Sequence, residues 1–147
     1  MHDPPQAVFD FSGHVLRVPA AVVSAMIDHA RRQLPNECCG LLSGVDRKVR
    51  SIHPLVNEAD DPQTGFLATA GLIAPFKQMR QAGEELLAIY HSHPSSPAVP
   101  SRKDLARNYY PDVVHVIISL AGPAADVRAF LLEADDLRPV EIATESG

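Results

Sequence analysis

The chain has few cysteines, no long apolar run and no basic stripe, and each shortage excludes a class of protein. Its two cysteines, Cys38 and Cys39, are adjacent, so they cannot form an unstrained bridge with each other and no disulfide framework is expected. No apolar stretch approaches the length of a membrane span. The net charge of −5 argues against nucleic acid or an anionic membrane as the main partner.

The amino terminus also lacks the charged and then apolar pattern of a secretory signal. Together with the missing disulfide framework, this favours a reducing, cytoplasmic setting. The 147 residues, with a hydrophobic content of 46%, are expected to form one domain over 1–147 with a substantial core. Within it, residues 1–13 are expected to form a loose lead-in.

Hydrophobic patterning predicts strands that alternate with helices. The predicted strands are 14–18, 39–43, 50–56, 86–93, 113–120, 127–132 and 137–144, the last of them at a sheet edge. The predicted helices are 20–34, a segment from 69 or 74 to 82, and 101–108. The inner face of the first helix is predicted to comprise Val23, Ile27, Ala30 and Leu34. Such alternation predicts an α/β sandwich with a mixed sheet.

The most informative stretch is His91-Ser92-His93-Pro94, at the end of a short apolar run. Side chains at alternate positions of a strand lie on the same side, so His91 and His93 can face one point. Pro94 then ends the strand because it has no N–H to donate. With Asp104 from the next element, the histidines would complete the three protein ligands of a catalytic zinc ion.

An ordinary structural explanation competes with this metal site. Ser101 and Asp104 have the spacing of a helix start, with Ser101 as the N-cap and Asp104 at the third helical position. A His-x-His pair by itself is a weak signal, and for the pair alone the structural explanation is favoured. The complete string of residues changes that balance.

The string resembles the signature of the JAMM, or MPN-plus, metalloproteases: His91-Ser92-His93, seven intervening residues, then Ser101-x-x-Asp104. The family pattern also needs a glutamate at the start of an upstream strand, and Glu37 matches it. The resemblance covers about residues 15–133 and is greatest to the short bacterial members. It implies an α/β/α sandwich with a curved mixed sheet, a layout like that of cytidine deaminases.

The resemblance also implies a role for each motif residue. His91, His93 and Asp104 would hold one Zn²⁺ per chain, Glu37 would carry protons, and Ser101 would donate a hydrogen bond to the oxyanion of the tetrahedral intermediate. Cys39 lies two residues after Glu37 and is expected near the metal, but not as a fourth ligand, which would displace water.

For five other polar residues the sequence supports weaker expectations. His115 lies inside an apolar strand and is expected to be a core histidine, whereas His29 and His53 are expected at the surface or on a helix face. Ser92, between the two metal ligands, points the other way along its strand and is expected to be structural. The resemblance suggests that Asn57 borders a substrate groove.

JAMM enzymes cut the bond after the C-terminal glycine of ubiquitin-fold proteins, and this short chain is similar to bacterial members that act with sulfur-carrier proteins. The resemblance therefore implies a zinc-dependent peptidase or isopeptidase acting on a ubiquitin-like or sulfur-carrier protein. One alternative is a deconjugating enzyme of a bacterial ubiquitin-like pathway, and homodimer formation is left open.

Two further alternatives come from other functional classes. A non-catalytic MPN scaffold module would usually lack a ligand or the glutamate, and here none is missing. A RadC-like DNA-associated protein usually carries asparagine between the histidines, where this chain has Ser92. A zinc deaminase would need His-x-Glu and Pro-Cys-x-x-Cys, and neither pattern is present.

Overall fold

The computed structural model describes residues 15–58, 71–106, 113–133 and 136–146, so the predicted lead-in over 1–13 lies outside the described residues. The elements in chain order are β1 (Val15–Pro19), α1 (Ala20–Gln33), β2 (Cys39–Val45), β3 (Lys48–Leu55), α2 (Ile73–Ala82), β4 (Glu85–His93), α3 (Arg102–Ala106), β5 (Val114–Ser119), β6 (Asp126–Glu133) and β7 (Asp136–Glu145). The predicted strands and helices therefore exist where the structure describes them, and the predicted positions 14, 69, 70, 107 and 108 lie outside the described residues.

The strands form one curved mixed sheet in the order β1, β3, β2, β4, β5, β6, β7. β4 and β5 are parallel, whereas β2 is antiparallel to both β3 and β4. β7 pairs with β6 and also, in parallel, with β1, from Val15 opposite Glu141 to Pro19 opposite Glu145. The prediction that the last strand lies at an edge was wrong, because β7 pairs with β1 as well as with β6. The local pattern of β7 gives no sign of this pairing with the first strand of the chain.

α1 packs on one face of the sheet with a buried stripe that shares only Ala30 with the predicted one. Val22, Met26 and Ala30 are buried in the main core cluster, while Leu34 lies beyond the helix end and is 48% exposed. Of the remaining predicted positions, Val23 and Ile27 only border that cluster. Two neighbouring stripes satisfy helical spacing in this segment, and the sheet selects the one that starts at Val22.

α2 packs on the opposite face, as two adjacent residues of β2 show. Leu42 packs in the core cluster of α1, whereas Leu41 packs with Phe76 and Met79 of α2. Since successive strand residues point to opposite faces, the helices lie on both sides of the sheet. The expected α/β architecture with a curved mixed sheet is confirmed. Among the described helices, none is long and apolar enough to cross a membrane.

Candidate metal centre

β4 brings His91 and His93 to one face of the sheet. Ala88 and Tyr90, which precede the histidines at alternate positions of the strand, pack in the core cluster of α1, so His91 and His93 point to the other face. Both imidazoles are almost fully buried. The strand ends at His93, directly before Pro94, as the sequence predicts. Two histidines at alternate positions of one strand therefore converge below the surface.

α3 brings Asp104 to the same place through its N-terminal cap. Ser101 Oγ accepts a hydrogen bond from the Asp104 N–H at 3.2 Å, and Asp104 Oδ2 accepts one from the Ser101 N–H at 2.8 Å. This reciprocal capping confirms the expected helix start. The same carboxylate also reaches the histidines, so the capping explanation and the proposed metal ligand are compatible.

The three side chains form a tight triangle of donor atoms. His91 Nε2 lies 3.1 Å from Asp104 Oδ1, His93 Nε2 lies 3.0 Å from Asp104 Oδ2, and the two Nε2 atoms are 3.2 Å apart. Tetrahedral zinc with bonds of about 2.0–2.1 Å separates its ligand atoms by about 3.3 Å. The triangle therefore fits one zinc ion. Within the described ranges, no other group of three or more such side chains is close enough to hold a metal.

The orientation of His93 is fixed by its second nitrogen. His93 Nδ1 lies 2.8 Å from the Pro97 carbonyl oxygen, which can only accept, so Nδ1 carries the proton and donates. The Nε2 atom faces the triangle, where it donates to Asp104 when it is protonated. After loss of that proton, its lone pair would be available to a metal ion, as a metal-bound histidine requires. The loop that contains Pro97 is held on β5 by Ser119 Oγ, which donates to the Ser96 carbonyl at 2.6 Å.

The triangle also favours an ionised carboxylate. Burial alone would raise the pKa of Asp104, but hydrogen bonds from His91 and His93 hold it well below its usual range. Burial would likewise lower the pKa of His93, but the hydrogen bonds to Asp104 and Pro97, with the negative charges of Asp104 and Glu37, raise it. A site with this negative potential attracts a cation.

Glu37 lies beside the triangle because of the register between β2 and β4. Cys39 is the direct partner of His91, and continuing this antiparallel pairing puts Glu37 opposite His93. The same face of the sheet then carries Glu37, His91 and His93. The catalytic role of Glu37 stays a prediction, and the register places it where that role requires.

Cys38 and Cys39 are both free and buried. Burial, the largest cause, raises the pKa of the Cys38 thiol to about 11 and that of the Cys39 thiol to about 12. The side chain of Cys39 shares a face with its partner His91. Among the described residues, the side chains whose ligand atoms come together are His91, His93 and Asp104, which agrees with leaving Cys39 out of the ligand set.

The predicted and observed positions of the remaining histidines agree to different extents. His115 is buried, and burial lowers its pKa to about 4, so it is the expected core histidine. His29 lies on α1, so the helix part of its expectation holds, but it is not at the surface, because it is 6% exposed and its Nδ1 lies 2.8 Å from the Tyr90 hydroxyl. His53 is half-buried against Ser43 Oγ at 2.8 Å, so it is not a surface residue either. Such partners lie on other strands, where the local pattern gives no signal.

Comparisons with known proteins agree with the metal-site motif and its geometry. The family model for prokaryotic homologs of the JAB domain matches residues 19–133. The chain is 37% identical over 113 residues to the CysO-cysteine peptidase of Mycobacterium tuberculosis, covering 75% of this chain and 77% of that protein. It is 39% identical over 123 residues to a probable TtuB-protein conjugate cleaving protease of Thermus thermophilus, covering 83% and 79%. A desampylase of Haloferax volcanii is 31% identical over 137 residues, covering 88% and 96%.

Solved structures agree with the fold. A protein of Desulfitobacterium hafniense superposes with a TM-score of 0.81 at 32% identity, covering 89% of this chain and 93% of that one. A structure described as a JAMM metalloprotease-like zinc site of the proteasome and signalosome superposes with a TM-score of 0.55 at 16% identity, covering 88% and 98%. The second likeness shows the fold alone.

Proposed function

The chain belongs to the family of prokaryotic homologs of the JAB domain, and we propose that it is a zinc-dependent peptidase. Its reaction would be hydrolysis of the amide bond after the C-terminal glycine of a ubiquitin-like or sulfur-carrier protein. The observation that carries the proposal is the buried triangle of His91, His93 and Asp104, whose spacing fits one zinc ion.

The names of the relatives support the choice of substrate class. They describe a CysO-cysteine peptidase, a protease that cleaves conjugates of TtuB with proteins, and a desampylase. The first two names describe the cleavage of a conjugate, of CysO with cysteine and of TtuB with a protein. We infer the same class of substrate for this chain, whose net charge of −5 also favours a protein partner over nucleic acid.

His91, His93 and Asp104 would hold the zinc ion, with a fourth position left for water or substrate. When bound, zinc lowers the pKa of water to about 7 and polarises a carbonyl as a Lewis acid. Glu37, on the same face, would accept a proton from the attacking water and pass it to the departing amine. The carboxylate thus acts first as a base and then as an acid.

Ser101 is suited to stabilising the oxyanion. Its Oγ accepts a hydrogen bond from the Asp104 N–H, so the hydroxyl proton is not used in capping and can be donated to substrate. The side chain is exposed at the start of α3, next to the buried triangle. Ser101 would therefore cap its helix and donate to the oxyanion at once.

The alternatives have less support. A deconjugating enzyme would use the same chemistry to release a whole protein from the carrier, so only the substrate distinguishes it from the leading proposal. A scaffold module has no need for a complete donor triangle, and a RadC-like protein would need a nucleic-acid surface. The proposed setting is the cytoplasm, since the two free cysteines, Cys38 and Cys39, fit a reducing compartment.

The decisive experiment is the intact mass of candidate carrier proteins after incubation with the zinc-loaded chain. The carriers would bear an amino acid or a linked protein beyond the terminal glycine, and Glu37→Gln would be the matched control. Loss of the appended mass with the wild type alone is expected. No cleavage of any sulfur-carrier or ubiquitin-like conjugate, with zinc verified in the protein, would overturn the proposal and favour the scaffold.

A further inference from the structure

Asn57 holds the segment that carries Glu37 from one side. Cys39 at the start of β2 is the direct partner of Leu55 at the end of β3. Continuing this antiparallel register by two residues puts Glu37 opposite Asn57. There Asn57 Nδ2 donates a hydrogen bond to the Glu37 carbonyl oxygen at 2.8 Å. A side-chain amide therefore extends the pairing beyond the ends of the two strands.

Ser92 holds the same segment from the other side. The register between β2 and β4 puts Cys38 opposite Ser92. The Ser92 N–H donates to the Cys38 carbonyl oxygen at 3.1 Å, and the Cys38 N–H donates to Ser92 Oγ at 2.8 Å. Ser92 is fully buried, and its side chain points away from the histidines on either side of it. It therefore binds the residue next to Glu37 and does not face the metal.

We propose that Ser92 and Asn57 are positioning residues for Glu37, which fix the main chain on both sides of it. The clamp, meaning the hydrogen bonds of Ser92 to Cys38 and of Asn57 to Glu37, keeps the carboxylate on the face of the metal triangle. This inference rests on the proposed function, in which Glu37 carries protons. A displacement of about 1 Å in such a group can cost about a hundredfold in rate.

The hydrogen bond from the Cys38 N–H requires a side chain with an acceptor oxygen at position 92. Cys38 is 1% exposed, so its N–H has no access to water when the serine hydroxyl is removed. A buried donor without a partner costs about 1–3 kcal/mol, and the segment is expected to shift until the N–H finds another acceptor. Threonine keeps the hydroxyl, whereas alanine removes it, so the two variants separate loss of the hydrogen bond from change of the side chain.

A double-mutant cycle tests whether Ser92 acts through Glu37. Ser92→Ala should lower kcat by about tenfold or more, with KM and zinc content nearly unchanged, because the base is displaced. In the Glu37→Gln background, the same change should lower the residual kcat by less than about twofold. Equal losses in both backgrounds would overturn the proposal, since Ser92 would then act independently of Glu37.

Amide hydrogen exchange tests the clamp without any substrate. The amides of Cys38 and Gly40 are expected to exchange about tenfold faster in Ser92→Ala and in Asn57→Ala, while Val116 in β5 is unchanged. Unchanged exchange at Cys38 would overturn the clamp even if a carrier is cleaved. If the wild type cleaves no carrier, the exchange measurement still tests the clamp. Failure of the proposed function and failure of the clamp are therefore distinguishable.

Ser43→Ala is the matched control, because Ser43 is equally buried on β2 but lies at its other end. Its Oγ contacts Glu84 Oε1 at 2.7 Å and His53 Nε2 at 2.8 Å, away from the triangle. This variant should keep kcat within about twofold of the wild type, and Ser92→Thr should retain most of the activity. A loss in Ser43→Ala as large as in Ser92→Ala would assign the effect to general destabilisation and overturn the proposal.

Discussion

His93 Nδ1 donates a hydrogen bond to the Pro97 carbonyl at 2.8 Å, and this contact orients the imidazole so that its Nε2 faces Asp104. Pro97 lies only four residues further along the chain, in a loop that begins with Pro94. Proline has a restricted main chain, so a short loop of this composition has few conformations to lose on folding. The metal triangle is therefore preorganised by the residues directly after the His-x-His pair.

Removal of Asp104 is expected to empty the proposed zinc site. Asp104→Ala leaves two histidines, and a site with two protein ligands holds zinc poorly in comparison with a site of three. We expect a loss of most of the metal, measured as zinc per chain after dialysis against a weak chelator. Full occupancy in this variant would show that another residue completes the site.

Two control variants show whether a loss of zinc comes from the missing ligand. One keeps the helix cap, and the other removes an aspartate elsewhere. Asp104→Asn keeps an oxygen that can accept from the Ser101 N–H but removes the charge, so an equal loss of zinc would assign the effect to the carboxylate. Asp126→Ala removes an exposed aspartate of β6 and should leave the zinc content unchanged.

Replacement of Glu37 by glutamine is expected to keep zinc and to lose turnover. The amide has nearly the same shape but cannot accept and release a proton, and general acid–base catalysis typically contributes about 10²–10⁴ in rate. kcat and zinc content are measured on the same preparation, with Glu141→Gln, an exposed glutamate of β7, as the control. Activity retained within about tenfold of the wild type would remove Glu37 from its proposed role.

The sequence predicted the parts of the molecule that depend on local pattern. Alternation places His91 and His93 on one face, the cap spacing places Asp104 at the start of α3, and Gly83 ends α2 with a φ of 68°. Each of these follows from a period, a helix cap or a conformational preference that a few neighbouring residues specify. The family motif added Glu37, which no local pattern distinguishes from other charged residues.

The errors concern contacts between segments far apart in the chain. His29 is buried against Tyr90, 61 residues away, and the Tyr90 ring lies across Gly40, where a Cβ would come within 2.2 Å of it. The clamp of Ser92 on Cys38 likewise depends on the register of β2 with β4. Register is set by the assembled sheet, so it could not be read from either strand alone.

Removal of the metal is expected to stop catalysis without unfolding the chain. The buried core consists of apolar side chains on both faces of the sheet, and it does not depend on the triangle as a zinc finger depends on its ion. We expect the chelated protein to keep its circular dichroism spectrum and a cooperative thermal transition while losing turnover. Readdition of zinc should restore the activity. A collapse of the fold on chelation would indicate a structural site instead.

Ser101 is expected to affect both rate and stability, and to different extents. Ser101→Ala removes an oxyanion donor, which commonly costs about 10²–10³ in kcat. It also removes a helix cap, which costs about 1 kcal/mol in the free energy of unfolding. Ser101→Thr keeps the hydroxyl and should retain both. If kcat falls by less than about fivefold in the alanine variant, Ser101 only caps the helix.

The buried histidine of β5 is expected to make the fold sensitive to acid. The pKa of His115 is lowered by burial from 6.5 to about 4, so the unfolded chain takes up a proton below pH 6.5 that the folded chain refuses. The contribution of His115 to the free energy of unfolding is therefore fully present above pH 6.5 and is lost as the pH falls towards 4. The shift corresponds to at most about 3 kcal/mol in the free energy of unfolding.

His115→Gln keeps a polar side chain at this position but removes the titrating group. Urea unfolding of the chelated wild type and the chelated variant, from pH 7 to pH 4, measures the difference, because the two proteins then differ only in the side chain at position 115. The variant is expected to be less stable at pH 7, since glutamine does not reproduce the packing of imidazole in a buried site. Its stability should fall less steeply with pH, so the two curves approach each other towards pH 4. Parallel curves would show that His115 keeps its ordinary pKa in the folded chain, and that the burial of the ring is relieved by its neighbours.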